Sequence, residues 1–297
     1  YFYRIYKHVR KYDDDHPYHA LAVSEYVYYP AGRRGECAAG RIYKEETVDG
    51  RPVLSVYRLC FPERKEHAVM ALYALGDLHL SFQSDKSMDI FGSVWKRHER
   101  KIEKYVSRIV KPEDTLVLTG DHSWGRKLSQ CREDLAFIEG LPGRKILLRG
   151  NHDMFWDAKR TQRLNEEYKD RLFFLQNNFA VYEDYALVGT KGYTFEGPFY
   201  LDRWGNITGW DEKKEEQAEK LVERELKRLR ESFRQASDAG YKKFIMFLHY
   251  PPTNILEETS PFTQIAEEYG VSAVVYSHCH GESRFGDSIR GMFHGIN

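Results

Sequence analysis

Cysteine is scarce. The 297 residues hold four, Cys37, Cys60, Cys131 and Cys279, and no two form a Cys-x-x-Cys pair. That argues against a disulfide framework and makes a reducing cytoplasm the expected compartment. Net charge is also missing, because 45 Lys and Arg balance 45 Asp and Glu. Nothing global marks a nucleic-acid or acidic-membrane surface, although a local basic patch is compatible with that balance. No apolar run is long enough to span a bilayer, and no signal-peptide core is present. Internal repeats and low-complexity linkers are absent. The chain opens on Tyr1 rather than Met, so the natural N-terminus is expected to be missing or processed.

Aromatic residues, by contrast, are plentiful. They make up 14% of the chain, and 21 of them are Tyr. Such a composition suits an ordered globular protein of one large domain or two small ones.

Residues 1–69 differ from the rest. Asp13-Asp14-Asp15, Pro30 and the small residues from Gly32 to Gly40 read as loops. One hairpin is expected, from Arg41-Ile42-Tyr43 through a turn at Asp49-Gly50 to Val53–Leu59. This segment reads as a small appended module outside the chemistry, and its His8, His16, His19 and His67 as surface residues. A second domain, 70–297, is expected from Met70, a natural start position.

From Met70 the pattern is regular. Strands are expected at Met70–Leu75, Thr115–Thr119, Lys145–Arg149, Leu172–Leu175, Phe179–Tyr182, Ala186–Val188, Phe244–Leu248 and Val271–Tyr276. Helices are expected at Val94–Ile109, Arg132–Leu141, Asp157–Tyr168, Glu212–Ala239 and Phe262–Tyr269. The long charged helix carries Leu221, Leu226, Leu229 and Phe233 as its apolar stripe, and its charge runs read as a solvated face. Lys191–Asp211 reads as a surface loop whose Phe195, Phe199, Tyr200 and Trp204 form either a lid or ordinary loop packing.

Five of the strands end in residues suited to a metal: Asp77 and His79, Asp121, Asn151 and His152, His249, and His278 and His280. Ends of strands are where open α/β sheets build ligand sites. Residues two apart on an extended backbone point the same way, so Asp77 and His79 can grip one ion, and His278 and His280 can face one site. Asp121, in the middle of the set, has two oxygens with which to bridge two ions. Imidazole, carboxylate and amide donors without thiolates suit Mn, Fe or Zn better than Ca. Cys279 alternates with its histidine neighbours and should point away.

The order Asp-x-His, Gly-Asp, Gly-Asn-His-Asp, His, His-x-His resembles the calcineurin-like metallophosphoesterase superfamily, from Met70 to the C-terminus. Gly120-Asp121-His122-Ser123-Trp124 and Gly189-Thr190-Lys191-Gly192-Tyr193 are similar to a bacterial branch of predicted phosphohydrolases. The resemblance implies a four-layer αββα sandwich of α/β class. It implies two divalent or mixed-valence metal ions, Mn first, with Fe or Zn as alternatives. Asp77, His79 and His280 would bind one ion, Asn151, His249 and His278 the other, and Asp121 would bridge them. His152 would stand beside the phosphate as the catalytic residue. The implied reaction is hydrolysis of a phosphomonoester or phosphodiester by a metal-bridging hydroxide attacking phosphorus in line.

His122, Trp124 and Arg149 are candidates for substrate contact; packing explains His122 and Trp124 equally well, and a strand-end surface charge is the plainer reading of Arg149. Asp153 either orients a neighbour or caps the next helix, the latter preferred. Two features depart from the family pattern. Ser277 stands where the last motif usually has Gly, which should alter the backbone only slightly. The chain also ends 17 residues after His280, where relatives usually continue with another core strand, so a truncated C-terminus is expected. Two other functions compete. A nuclease would want a basic groove with aromatic stacking, and the interleaved charges of Glu212–Arg234 argue against one. A non-catalytic scaffold for protein partners typically loses His152 or several ligands, and this chain keeps them.

Overall fold

Neighbouring residues of the apolar runs go to different cores. Leu72 and Ala74 pack into one buried cluster, Tyr73 and Leu75 into another. Ile146 and Leu148 likewise part from Leu147, and Ile245 and Phe247 part from Phe244, Met246 and Leu248. Period-two alternation with both faces apolar is what a strand covered on both sides requires.

A computed structural model describes residues 41–44, 47–48, 51–52, 55–59, 70–92, 95–193, 199–201, 207–210, 212–253, 259–278, 294 and 296. The described chain begins with strands β1 (Arg41–Lys44), β2 (Thr47–Val48), β3 (Arg51–Pro52) and β4 (Ser55–Leu59). Strands β5 (Leu72–Leu75), β6 (Thr115–Leu118), β7 (Arg144–Leu148) and β8 (Leu172–Leu175) follow. They alternate with helices α1 (His98–Ile109), α2 (Arg132–Gly140) and α3 (Thr161–Glu167). These strands form a six-stranded sheet in the order β1-β4-β5-β6-β7-β8, parallel from β5 to β8.

A second sheet contains β9 (Ala180–Tyr182), β10 (Tyr185–Thr190), β13 (Lys243–Leu248) and β14 (Ala273–Val275), in the order β14-β13-β10-β9. Between β10 and β13 the chain forms a two-stranded ladder of β11 (Phe199–Leu201) and β12 (Ile207–Trp210) and then helix α4 (Glu212–Asp238). Helix α5 (Pro261–Glu268) precedes β14; Ser260 caps it, accepting the Phe262 and Thr263 N–H groups at 3.1 Å, with Pro261 in its first turn.

Three buried clusters mark three interfaces. One lies between the first sheet and α1–α3 (Ile102, Val106, Leu135, Leu164), one between the sheets, and one between the second sheet and α4–α5 (Leu229, Phe233, Ile265). The layers therefore run α, β, β, α, as expected. On α4 the stripe passes through Val222, Leu226, Leu229, Phe233 and Ala236 rather than Leu221. Its outer face pairs charges along the helix, Glu216–Lys220, Glu223–Lys227, Arg234–Glu231 and Arg234–Asp238, as a solvated face does. No helix among the described residues is long and apolar enough to cross a membrane.

Two expectations change. The hairpin of residues 41–59 does not stand apart: β4 pairs antiparallel with β5, register Leu59↔Leu72, and Leu59 is buried in the core between the sheets. The ladder β11–β12 lies within the stretch read as a loop, because Phe199 and Trp210 fall in pairing register. His8, His16, His19, His67, Phe195, Trp204, Cys279 and His280 lie outside the described residues, as do the side chains of Phe199 and Tyr200.

Candidate metal centre

The turns that leave β5 and β6 keep pairing after the strands have ended. Asp77 N–H donates to Gly120 O at 3.0 Å, His79 N–H to Asp121 O at 2.8 Å, and Leu80 N–H to His122 O at 3.0 Å. Asp77 (φ 56°), His79 (φ 46°), Asp121 (φ 55°) and His278 (φ 73°) all adopt the left-handed conformation. For residues with a Cβ this costs about 1–3 kcal/mol each, and such strain gathers at functional sites. It also corrects the reason for their convergence. Asp77 and His79 face one point because two left-handed residues curl the turn inward, not because an extended strand aligns them.

Three glycines allow the turns to meet. A Cβ on Gly150 would lie 2.1 Å from Asp121 Oδ1, one on Gly120 would lie 2.5 Å from His249 Nδ1, and one on Gly76 would lie 2.5 Å from Ser277 Cβ. The backbones touch where ligands must converge.

Two groups of donor atoms result. Asp77, His79 and Asp121 bring one atom each within 4.8 Å of one another, and so do Asp121, His249 and His278. The groups share Asp121. Its Oδ1 accepts the His152 N–H at 2.8 Å, while Oδ2 faces three imidazoles: His249 Nε2 at 3.4 Å, His79 Nε2 at 3.8 Å and His152 Nε2 at 4.0 Å. Asp77 Oδ2 accepts the His278 N–H at 3.0 Å, tying the two ends of the domain together.

His249 tests whether a cation fits. Its Nδ1 lies 3.0 Å from Thr119 O, which only accepts, so Nδ1 carries the proton. Its Nε2 then turns a lone pair toward Asn151 Oδ1 at 2.7 Å, and His278 Nδ1 at 3.2 Å and Asp121 Oδ2 also crowd it. Several acceptors facing one another need a proton or a cation among them, so the donor set fits a divalent ion. Burial alone would lower the pKa of His249, but the Asp121 charge overrides it and pushes the imidazole up. Burial would raise Asp121, and the His249, His79 and His152 charges more than offset it, holding the carboxyl well below its usual range.

His152 sits at the mouth, its side chain 37% exposed. Its ring lies 4.2 Å from Trp124 and 5.5 Å from His79. Burial lowers its pKa below the ordinary 6.5, against the opposing pull of Asp121. Trp124, half-buried, stacks on His79 at 5.0 Å and carries Lys86 Nζ 4.4 Å above its ring. Arg149, also half-buried, gives its Nε–H to Asp153 O at 3.4 Å. His122 is not at the mouth: it is wholly buried, and its Nε2 lies 2.8 Å from Leu148 O, so packing explains it better than substrate contact.

Asp153 departs from the cap expected of it. Wholly buried, its carboxylate accepts the backbone N–H groups of Gly150 (2.7 Å), Asp121 (2.9 Å), His122 (2.8 Å) and Ser123 (3.4 Å). The helix that follows is entered instead through Asp157, which caps a short 3-10 turn. Ser277 does more than spare a glycine: its Oγ donates to Thr119 O at 2.8 Å and lies 3.1 Å from His249 Nδ1, fixing that ring. The sequence signal for Asp153 is its place directly after His152; Ser277, one residue before His278, shows only as a departure from the motif.

The sequence model of the calcineurin-like phosphoesterase family matches residues 70–282. No curated protein matches the chain. Among solved structures, a protein of unknown function from Aquifex aeolicus (AQ665) is 19% identical, with 70% of this chain and 89% of that one covered and a TM-score of 0.33. Phosphopantetheinyl hydrolase (PptH) from Mycobacterium tuberculosis is 13% identical, with 76% and 86% covered and a TM-score of 0.42. At such scores neither likeness carries a functional inference. The family match rests on the domain that holds both donor groups, and by it the chain belongs to the calcineurin-like phosphoesterase family of metal-dependent hydrolases.

Proposed function

We propose that the protein hydrolyses a phosphoester at two metal ions held by Asp77, His79, Asp121, Asn151, His249, His278 and His280, with His152 as the catalytic residue. The observation that carries this reading is the sharing of Asp121 between two donor triads. Asp121 would be held by both ions, and its Oδ1 is fixed by the His152 N–H.

When bound, the two ions, Mn first by donor type, would supply an acidified water as nucleophile and positive charge to brace the phosphoryl oxygens. The chain does the rest. Asp77 and Asp121 bring only two negative charges to the pocket, so it remains attractive to a phosphate. Thr119 and Ser277 hold His249 by Nδ1 and aim its Nε2 inward. With its pKa lowered by burial and its ring packed at a tilt against Trp124, His152 is placed to hold a proton at Nε2 and pass it to the leaving oxygen. With its free buried Cys131 and no cysteine motif, the protein suits a reducing cytoplasm.

The test is initial rates on p-nitrophenyl phosphate and bis(p-nitrophenyl) phosphate after EDTA stripping, with Mn2+ added back. Turnover that returns with the metal is expected, and the preferred substrate assigns monoester or diester chemistry. Two bound metal equivalents with no turnover of either ester, in folded protein, would favour the scaffold instead.

A further inference from the structure

Among the described residues, Lys191 is a buried cation without a counter-ion. It stands one residue past β10 with only 8% of its surface exposed, and among the described residues no carboxylate or hydrogen-bond acceptor pairs with its Nζ. Aromatic faces surround it instead: Nζ lies 5.1 Å from the centre of the Tyr250 ring and 5.3 Å from that of Tyr193. Cation–π contact softens the burial of an ammonium but does not replace an anion.

The surroundings deepen the imbalance. Arg149, Arg224 and Arg228 also bear on Lys191, against a single carboxylate, Glu225. That carboxylate is already engaged. Its Oε1 accepts from Arg228 Nη1 at 2.6 Å and lies 3.3 Å from Arg224 Nη2, and its Oε2 accepts from Thr190 Oγ1 at 2.6 Å. Among the described residues Arg149 uses only its Nε–H, on the Asp153 carbonyl. Among the described residues, Lys191, Arg149, Arg224 and Arg228 gather about two carboxylates, Glu225 and the Asp153 beside Arg149, which leaves a cationic surplus. Burial, helped by the arginines, pushes Lys191 down to about 8.

Lys191 adjoins the metal centre. Lys191 O accepts the N–H groups of His249 and Tyr250 at 3.1 and 3.0 Å. The Tyr250 ring lies 4.3 Å from that of His278, so one aromatic ring separates the ammonium from a metal-binding imidazole. Arg149 is two residues before Asn151 in the chain.

We propose that Lys191 and Arg149 form an anion subsite beside the metal centre that receives a second, unhydrolysed phosphoryl group of the substrate. The natural substrate is then a phosphoester carrying another phosphate, because a surplus of cations matches a multiply charged group better than a single carboxylate. The assignment of this anion to the substrate rests on the function proposed above; the anion subsite itself does not.

The test uses metal-stripped protein, so that bound metals do not capture the probe, and titrates it with inorganic pyrophosphate by calorimetry at low salt. Wild-type protein is expected to bind, with affinity falling as salt rises. Lys191→Met and Arg149→Met should each lose at least tenfold, and Lys191→Arg should retain most of it. Pyrophosphate should raise the wild-type melting temperature but not that of Lys191→Met, which itself should melt no lower than wild type. Should Lys191→Met fail to fold, Arg149→Met against wild type decides the matter. Equal pyrophosphate affinity in wild type and the folded methionine variants overturns the subsite even if phosphoester turnover is found. Lysine-dependent binding without any turnover supports the subsite and overturns the proposed activity.

Discussion

The Asp153 carboxylate takes the backbone N–H of Asp121 at 2.9 Å, with those of Gly150, His122 and Ser123 on the same two oxygens. One buried anion thus fastens the turn after β6 to the turn after β7. Asp153→Asn replaces an acceptor by a group that also presents N–H donors to these N–H groups. Stability should fall by about 2–4 kcal/mol, read by urea unfolding. Metal content should fall at both sites together. An unchanged unfolding midpoint with full metal content would remove Asp153 from this role.

His152 and Asp121 should separate in their effects. His152→Ala keeps the backbone N–H that holds Asp121 Oδ1, so both ions should remain by mass-spectrometric metal analysis. Turnover should fall by about 10²–10⁴-fold, the usual worth of a positioned proton donor. Asp121→Asn should instead deplete both sites. Metal lost equally from His152→Ala would make it a ligand.

Gly150→Ala tests the close approach of the turns. Gly150 is not among the glycines with left-handed φ, so the added methyl is resisted by contact alone, 2.1 Å from Asp121 Oδ1. Destabilisation of about 1–3 kcal/mol is expected, together with weaker metal binding. Gly140→Ala, whose Cβ meets nothing within 4 Å, should be neutral or slightly stabilising in a melting experiment.

Cys131 should resist alkylation. Burial pushes its thiol up to about 12, outweighing the hydrogen bond from Ser123, whereas an ordinary cysteine titrates near about 8.5. The raised pKa favours the protonated thiol in the fold. Its contribution is full below the unfolded value and declines as pH rises toward the folded one. Iodoacetamide at pH 9 should leave Cys131 unlabelled in folded protein and label it in urea, as peptide mapping will show. Rapid labelling of the folded protein would contradict this burial.

Ligand types and strand ends were legible in the sequence because both are local. Period-two apolar runs such as Leu72–Leu75 and Lys243–Leu248 announce strands covered on both faces, and the Gly-Asp and Gly-Asn-His-Asp turns announce what they present. The order of the motifs was enough to indicate the family. What stayed hidden was decided across the chain. The left-handed backbones of Asp77 and His278 belong to turns linked by a hydrogen bond between residues 201 apart. Asp153 reads as a cap until the turn holding Asp121 is brought against it, and β4 reads as part of an appendage until it pairs with β5. Lys191 is one of 45 cations until folding buries it beside Tyr250, with no carboxylate among the described residues paired to it. Residue type and local period are written in order along the chain. Which polar groups find partners depends on contacts between distant segments, and only the tertiary structure decides those.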